Sequence, residues 1–283
     1  MKARMFAFGS SRPAPVFGIL IADPTGCRHD RFCQAERLCI SLIACILTPV
    51  APGVEKMSKE RILKVSPSTR HALSQTPPRL RGVFHRVAAI VALPTALAWT
   101  LSVQAGPPRL AVAAFSGGVC AMFAFSALLH WRAWRASVRE RLLRLDHCGI
   151  YLAIGGTGVA LALLGLDGWP GRALLIGSSV GTLAGVVLEW LPFASPRGFN
   201  NAVYLTLGWI SLVLLPWIWS DAGPVTVWLL LAGGLLYTTG AIVVGLRRPN
   251  PWPPWFGYHE LFHAMVIVAA IIHGVMVARL LPG

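Results

Sequence analysis

The chain has 283 residues, is 55% hydrophobic and only 13% charged, and carries a formal net charge of +14. Its mean hydropathy of +0.63 excludes an ordinary soluble domain. The absence of a period-two alternation excludes a membrane β-barrel.

Residues 1–56 mix Gly, Pro, Arg and Cys around one apolar patch, Leu38 to Val50. That patch is short for a membrane span. It also comes too late, behind Asp30, Arg31, Glu36 and Arg37, for a secretory signal. Cys27, Cys33, Cys39 and Cys45 recur every six residues, a spacing that drifts around a helix and lacks any C-x-x-C signature. Met57 opens a polar stretch. We therefore expect residues 1–56 to be disordered or an over-extended gene model with translation beginning at Met57, residues 57–82 to be a polar cytoplasmic segment and residues 83–283 the membrane domain.

Seven spans are predicted in chain order, at about 83–104, 109–131, 145–165, 171–191, 201–219, 224–246 and 256–280, each near the ~20 apolar residues that cross a bilayer. Pro94 predicts a kink in the first. Short turns rich in Gly, Pro and Asp connect most of them. Trp131, Trp169, Trp190, Trp219 and Trp252 fall near predicted ends, as in an interfacial belt. The fold class is an all-α seven-helix membrane bundle.

Arg132, Arg135, Arg139, Arg141, Arg144, Arg197, Arg247 and Arg248 fall on one side; only Arg109, Arg172 and Arg279 fall on the other. The positive-inside rule then places the N-terminus in the cytoplasm and the C-terminus outside. Residues 1–86 hold 14 basic against 5 acidic residues. Flanking charge of this kind is accounted for by the lipid bilayer, and no nucleic-acid partner is expected. A multi-pass protein of the cell membrane, in a bacterium the inner one, is the expected location.

Ionisable groups inside such spans are functional candidates by default. His259-Glu260-Leu261-Phe262-His263 opens the last span, and its two histidines share one helix face. His130 closes the second span, and Asp146 and His147 open the third. The charge count alone brings these groups to one depth, at the cytosolic side. Ser126 lies one turn before His130. Three histidines and an oxygen donor make an open catalytic zinc site, in which the pKa of bound water falls to about 7. The candidate metal ligands are His130, His259, His263 and Asp146, with Zn2+ as the ion. The candidate catalytic residues are Asp146 as proton handler, Ser126 to orient Asp146 or the substrate, and Glu260, ranked behind Asp146 although it completes a formal H-E-x-x-H. His147 points away from Asp146's face. His273 lies about 15 Å beyond His263 along the helix, too far to share an ion, and is expected to hydrogen-bond another helix. His85 is expected to snorkel to the interface, and Glu189 to pair with a loop arginine. Cys120 and Cys148 are expected to be small buried residues.

The set Ser126-x-x-x-His130, Arg144-Leu145-Asp146-His147 and His259-Glu260-Leu261-Phe262-His263, preceded by Pro78-Arg79-Leu80-Arg81-Gly82 and His85, resembles the hemolysin III branch of the adiponectin-receptor-like (progestin and adipoQ receptor) family. Leu129 stands where that family usually has Tyr. The resemblance covers about 78–283. It implies seven helices with the N-terminus inside, zinc held by His130, His259 and His263, and Asp146 holding the zinc-bound water. It also implies ceramidase-like chemistry in the wider group and a haemolytic activity in bacterial members. The expected function is zinc-dependent hydrolysis of a lipid amide or ester. A cytolytic pore or a receptor-like membrane protein is the alternative, and haem ligation by paired histidines a third reading.

Overall fold

The structure is a computed structural model, described here for residues 78–191 and 198–282. The N-terminal cysteines, the apolar patch, the Met57 start and Arg197 lie outside the described residues. Seven helices are long and apolar enough to cross a membrane: α1 Val83–Ser102, α2 Pro107–Leu129, α3 Ala136–Leu164, α4 Gly168–Trp190, α5 Phe199–Ala222, α6 Pro224–Leu246 and α7 Tyr258–Arg279. Among the described residues the only extended pairing is an isolated bridge, Trp252 with Phe256.

The outer surface is apolar. Ile90, Leu97, Leu183, Val213, Trp228 and Leu246 are all exposed, a pattern that costs free energy in water and fits a lipid solvent. Trp131, Trp169, Trp190, Trp219 and Trp252 are exposed as well, at or just beyond helix ends. The enclosed helices are α2 and α3, with 56% and 50% of their spans buried, then α7 with 39%. These three carry the candidate site.

Glycine lets α2 and α3 approach closely. A Cβ on Gly118 would meet the Leu152 carbonyl, one on Gly149 the Met122 backbone, and one on Gly156 the Ala114 carbonyl. Small residues at such a seam replace the hydrophobic drive that lipid cannot supply, by allowing close van der Waals packing. Val112, Phe115, Val119, Met122 and Phe123 of α2 fill the core together with Val266, Ala270, Met276 and Val277 of α7.

Two elements differ from the sequence expectation. α3 begins at Ala136, nine residues before the expected 145. Nothing in Ala136–Arg144 breaks a helix, and Glu140 pairs with Arg144 at 2.9 Å one turn on. Its 29 residues span about 43 Å, more than the ~30 Å hydrocarbon core, so the arginine-bearing end projects beyond the apolar layer. α5 is irregular: a 3-10 turn at Ile210–Leu214 and a π turn at Ile218–Ala222 interrupt it. Pro216 lies between them, lacking an N–H and crowding the preceding turn.

Candidate metal centre

His130 is the residue that ends α2. Its backbone N–H still reaches the Ser126 carbonyl at 3.1 Å, so it stays one turn above Ser126. α7 starts behind Gly257, whose N–H donates to Glu260 Oε2 at 2.9 Å. That cap sets the helix phase and aims His259 and His263 toward α2. The donor atoms of His130, His259 and His263 all lie within 4.8 Å of one another.

The closest pair is His259 Nε2 and His130 Nε2, 3.2 Å apart. Two nitrogens bonded to one tetrahedral zinc at about 2.0–2.1 Å are separated by about 3.3 Å, so this spacing already fits. An imidazole–imidazole hydrogen bond would account for that one contact. It would not account for His263, which is 2% exposed and whose Nε2 has no hydrogen-bond partner among the described residues. Buried polar atoms are ordinarily satisfied, and a shared ion would satisfy this one. The donor set therefore fits a metal of the zinc type. It does not suit haem, because 3.2 Å leaves no room for a macrocycle between His130 and His259.

Asp146 and Ser126 line the same cavity as His259 and His263. Asp146 lies in the cavity and outside the three-histidine group. Ser126 is buried, and its side chain interacts with the Asp146 carboxyl. Glu260 is held elsewhere. Its side chain is fully buried; one oxygen takes the Arg81 guanidinium at 2.5 Å and the other the Gly257 N–H. Both carboxylate oxygens are thus engaged, one by Arg81 and one by the helix cap.

Other expectations separate in the same way. His147 leaves Asp146's face and meets Glu189 Oε2 at 3.1 Å. Glu189 also accepts from Asn200 at 2.9 Å; Arg197, one of the loop arginines expected as its partner, lies outside the described residues. Arg144 donates to the Glu189 backbone carbonyl at 2.9 Å as well as pairing with Glu140. His273 does contact another helix, with Nε2 3.3 Å from the Leu230 carbonyl of α6. Cys120 and Cys148 are buried free thiols.

His85 is the residue sequence reasoning missed. It does not snorkel: it is 2% exposed, and its Nε2 lies 3.1 Å from His263 Nδ1. The available signal was its place one turn into a span right after Gly82. Gly82 has φ +75°, and a Cβ there would strike His130, so only glycine lets the lead-in pass this close to the site.

A cavity of about 170 Å³ runs from the histidines past Met122, Ile150, Tyr204, Phe262 and Val266 to His273. It is comparable to the ~150 Å³ apolar cavities that hold a benzene-sized group. It can enclose part of one hydrocarbon chain, not a whole lipid.

The family described as haemolysin-III related matches residues 73–274. The chain is 29% identical over 183 residues to an adiponectin receptor protein of Drosophila melanogaster, covering 58% of this chain but 41% of that protein. It is 30% identical over 165 residues to hemolysin-3 of Bacillus cereus, covering 56% and 74%. A heptahelical transmembrane protein of Oryza sativa subsp. japonica is 32% identical over 195 residues, covering 62% and 84%. With seven apolar helices and a family match over most of its length, the chain is a multi-pass membrane protein that belongs to the haemolysin-III related family.

Proposed function

We propose that the protein is a zinc-dependent membrane hydrolase of a lipid amide or ester, working near the cytosolic face of the cell membrane. The observation that carries this reading is the convergence of three imidazole donors at the end of a mostly apolar cavity that also admits Asp146 and Ser126. His130, His259 and His263 would hold the ion. When bound, zinc supplies Lewis-acid polarisation and activation of water at neutral pH. Asp146 takes up the proton of the attacking water and returns one to the leaving group. Ser126 orients Asp146 or the substrate carbonyl by hydrogen bonding. The apolar walls formed by Met122, Ile150, Phe262 and Val266 hold a hydrocarbon chain and exclude bulk water.

The test is turnover of ceramide-like and acyl-ester substrates by purified, zinc-loaded protein. Wild type should hydrolyse at least one class and His263→Ala should not. Equal rates in the two would end the proposal.

A second reading comes from the relatives called hemolysin-3 and adiponectin receptor. A lytic or receptor role would leave the histidines as a structural metal site. Red-cell lysis that persists in His130→Ala and His263→Ala would favour it.

A further inference from the structure

We propose that His85 is a positioning residue of the metal centre: its Nε2 accepts the Nδ1–H of His263 and thereby keeps His263 Nε2 as the ligating atom. This rests on the reading of the three histidines as zinc ligands. It does not depend on whether the protein is a hydrolase.

The geometry assigns the two nitrogens of His263 different tasks. Nδ1 lies 3.1 Å from His85 Nε2, and Nε2 has no hydrogen-bond partner among the described residues. A neutral imidazole carries one proton, and the hydrogen bond made by one nitrogen decides which nitrogen is left to bind a metal. With the proton on Nδ1, His263 donates to His85 and Nε2 keeps its lone pair. With the opposite donation, from His85 Nε2–H, the proton of His263 would sit on Nε2 and close it to an ion. Ligating histidines ordinarily have such an outer partner, commonly a carboxylate or a carbonyl. Here the nearest carboxylate on the same helix, Glu260, is taken by Arg81 and the Gly257 N–H. His85 supplies the acceptor instead. It stands outside the three donors that lie within 4.8 Å of one another, so it is an outer partner and not a fourth ligand.

The lead-in to α1 is built to hold it there. Arg79 N–H donates to the Pro254 carbonyl at 3.0 Å and Leu80 N–H to the Trp255 carbonyl at 3.3 Å. Arg81 grips Glu260 between the two α7 histidines, and Gly82 packs against His130. One turn of α1 then delivers the His85 ring, 4.0 Å between centroids from His263 and 5.1 Å from Phe123. The segment thus touches every ligand-bearing element, and His85 is its one side chain hydrogen-bonded to a ligand.

The experiment measures Zn2+ affinity of the full chain in detergent by competition with a chromophoric chelator. It compares wild type, His85→Gln and His85→Phe. Gln retains an acceptor, and Phe retains ring volume beside Phe123 without one. We expect His85→Gln to stay within about threefold of wild type and His85→Phe to bind about 10- to 100-fold more weakly. Equal affinity in all three, or equal loss in both variants, overturns the assignment. 15N spectra of histidine-labelled wild type loaded with zinc provide a check that needs no substitution. His263 should show Nδ1 protonated and Nε2 metal-bound; the reverse pattern overturns the proposal. Wild type that binds no zinc removes the metal reading as well, which separates the two failures.

Discussion

At the residue scale, each polar side chain near the candidate metal centre is assigned a separable task. Asp146 lies in the cavity but outside the nitrogen set. Asp146→Asn should therefore retain zinc while lowering hydrolysis by about 10²-fold or more, the usual worth of a proton-transfer group. Parallel metal analysis and turnover assays check this; loss of the metal would make Asp146 a ligand instead. Glu260 is an anchor, fully buried against a partly exposed Arg81. Arg81→Ala leaves a buried carboxylate without its cation and should destabilise the protein by about 3 kcal/mol, at the low end for breaking a buried pair. Thermal unfolding in detergent reads this, and an unchanged Tm would contradict the anchoring role. The grouping of His130, His259 and His263 was legible in the sequence because their spacing and depth are properties of a helix and of loop charge. His85 and Glu260 were not. Whether a histidine near a span end snorkels or turns inward depends on what the neighbouring helices place beside it, here His263 and Phe123. The role of Glu260 depends on an arginine 179 positions away.

At the element scale, the α2–α3 seam fixes the position of Asp146 relative to His130. Gly149 lies one turn beyond Asp146 and packs on the Met122 backbone. Gly149→Leu should force the helices apart, at a cost of about 1–3 kcal/mol for overpacking. It should also weaken turnover more than zinc binding, because all three nitrogen donors lie on α2 and α7. Equal loss of both would show that the seam positions the ligands too. Helix number and order followed from the lengths of apolar runs. The early start of α3 did not, because hydropathy reports the membrane-embedded part of a helix and not its amphipathic extension. The interruptions in α5 likewise arise from how Pro216 is accommodated within a packed bundle, which hydropathy does not encode.

At the scale of the whole molecule, the candidate metal centre lies at the arginine-rich end of the bundle. His130 is followed directly by the segment carrying Arg132, Arg135, Arg139, Arg141 and Arg144. We propose that this end faces the cytoplasm. In a background lacking the six native cysteines, Ala136→Cys should resist a membrane-impermeant thiol reagent in intact cells, while Asp167→Cys should react. The opposite labelling would invert the topology and place the chemistry at the outer leaflet. The central claim remains that His130, His259 and His263 share one ion. Metal analysis of the purified full chain against His130→Ala tests it most directly. We predict about one zinc per wild-type chain and its loss in the variant. Metal-free wild type, or a variant that retains its zinc in full, would contradict the account.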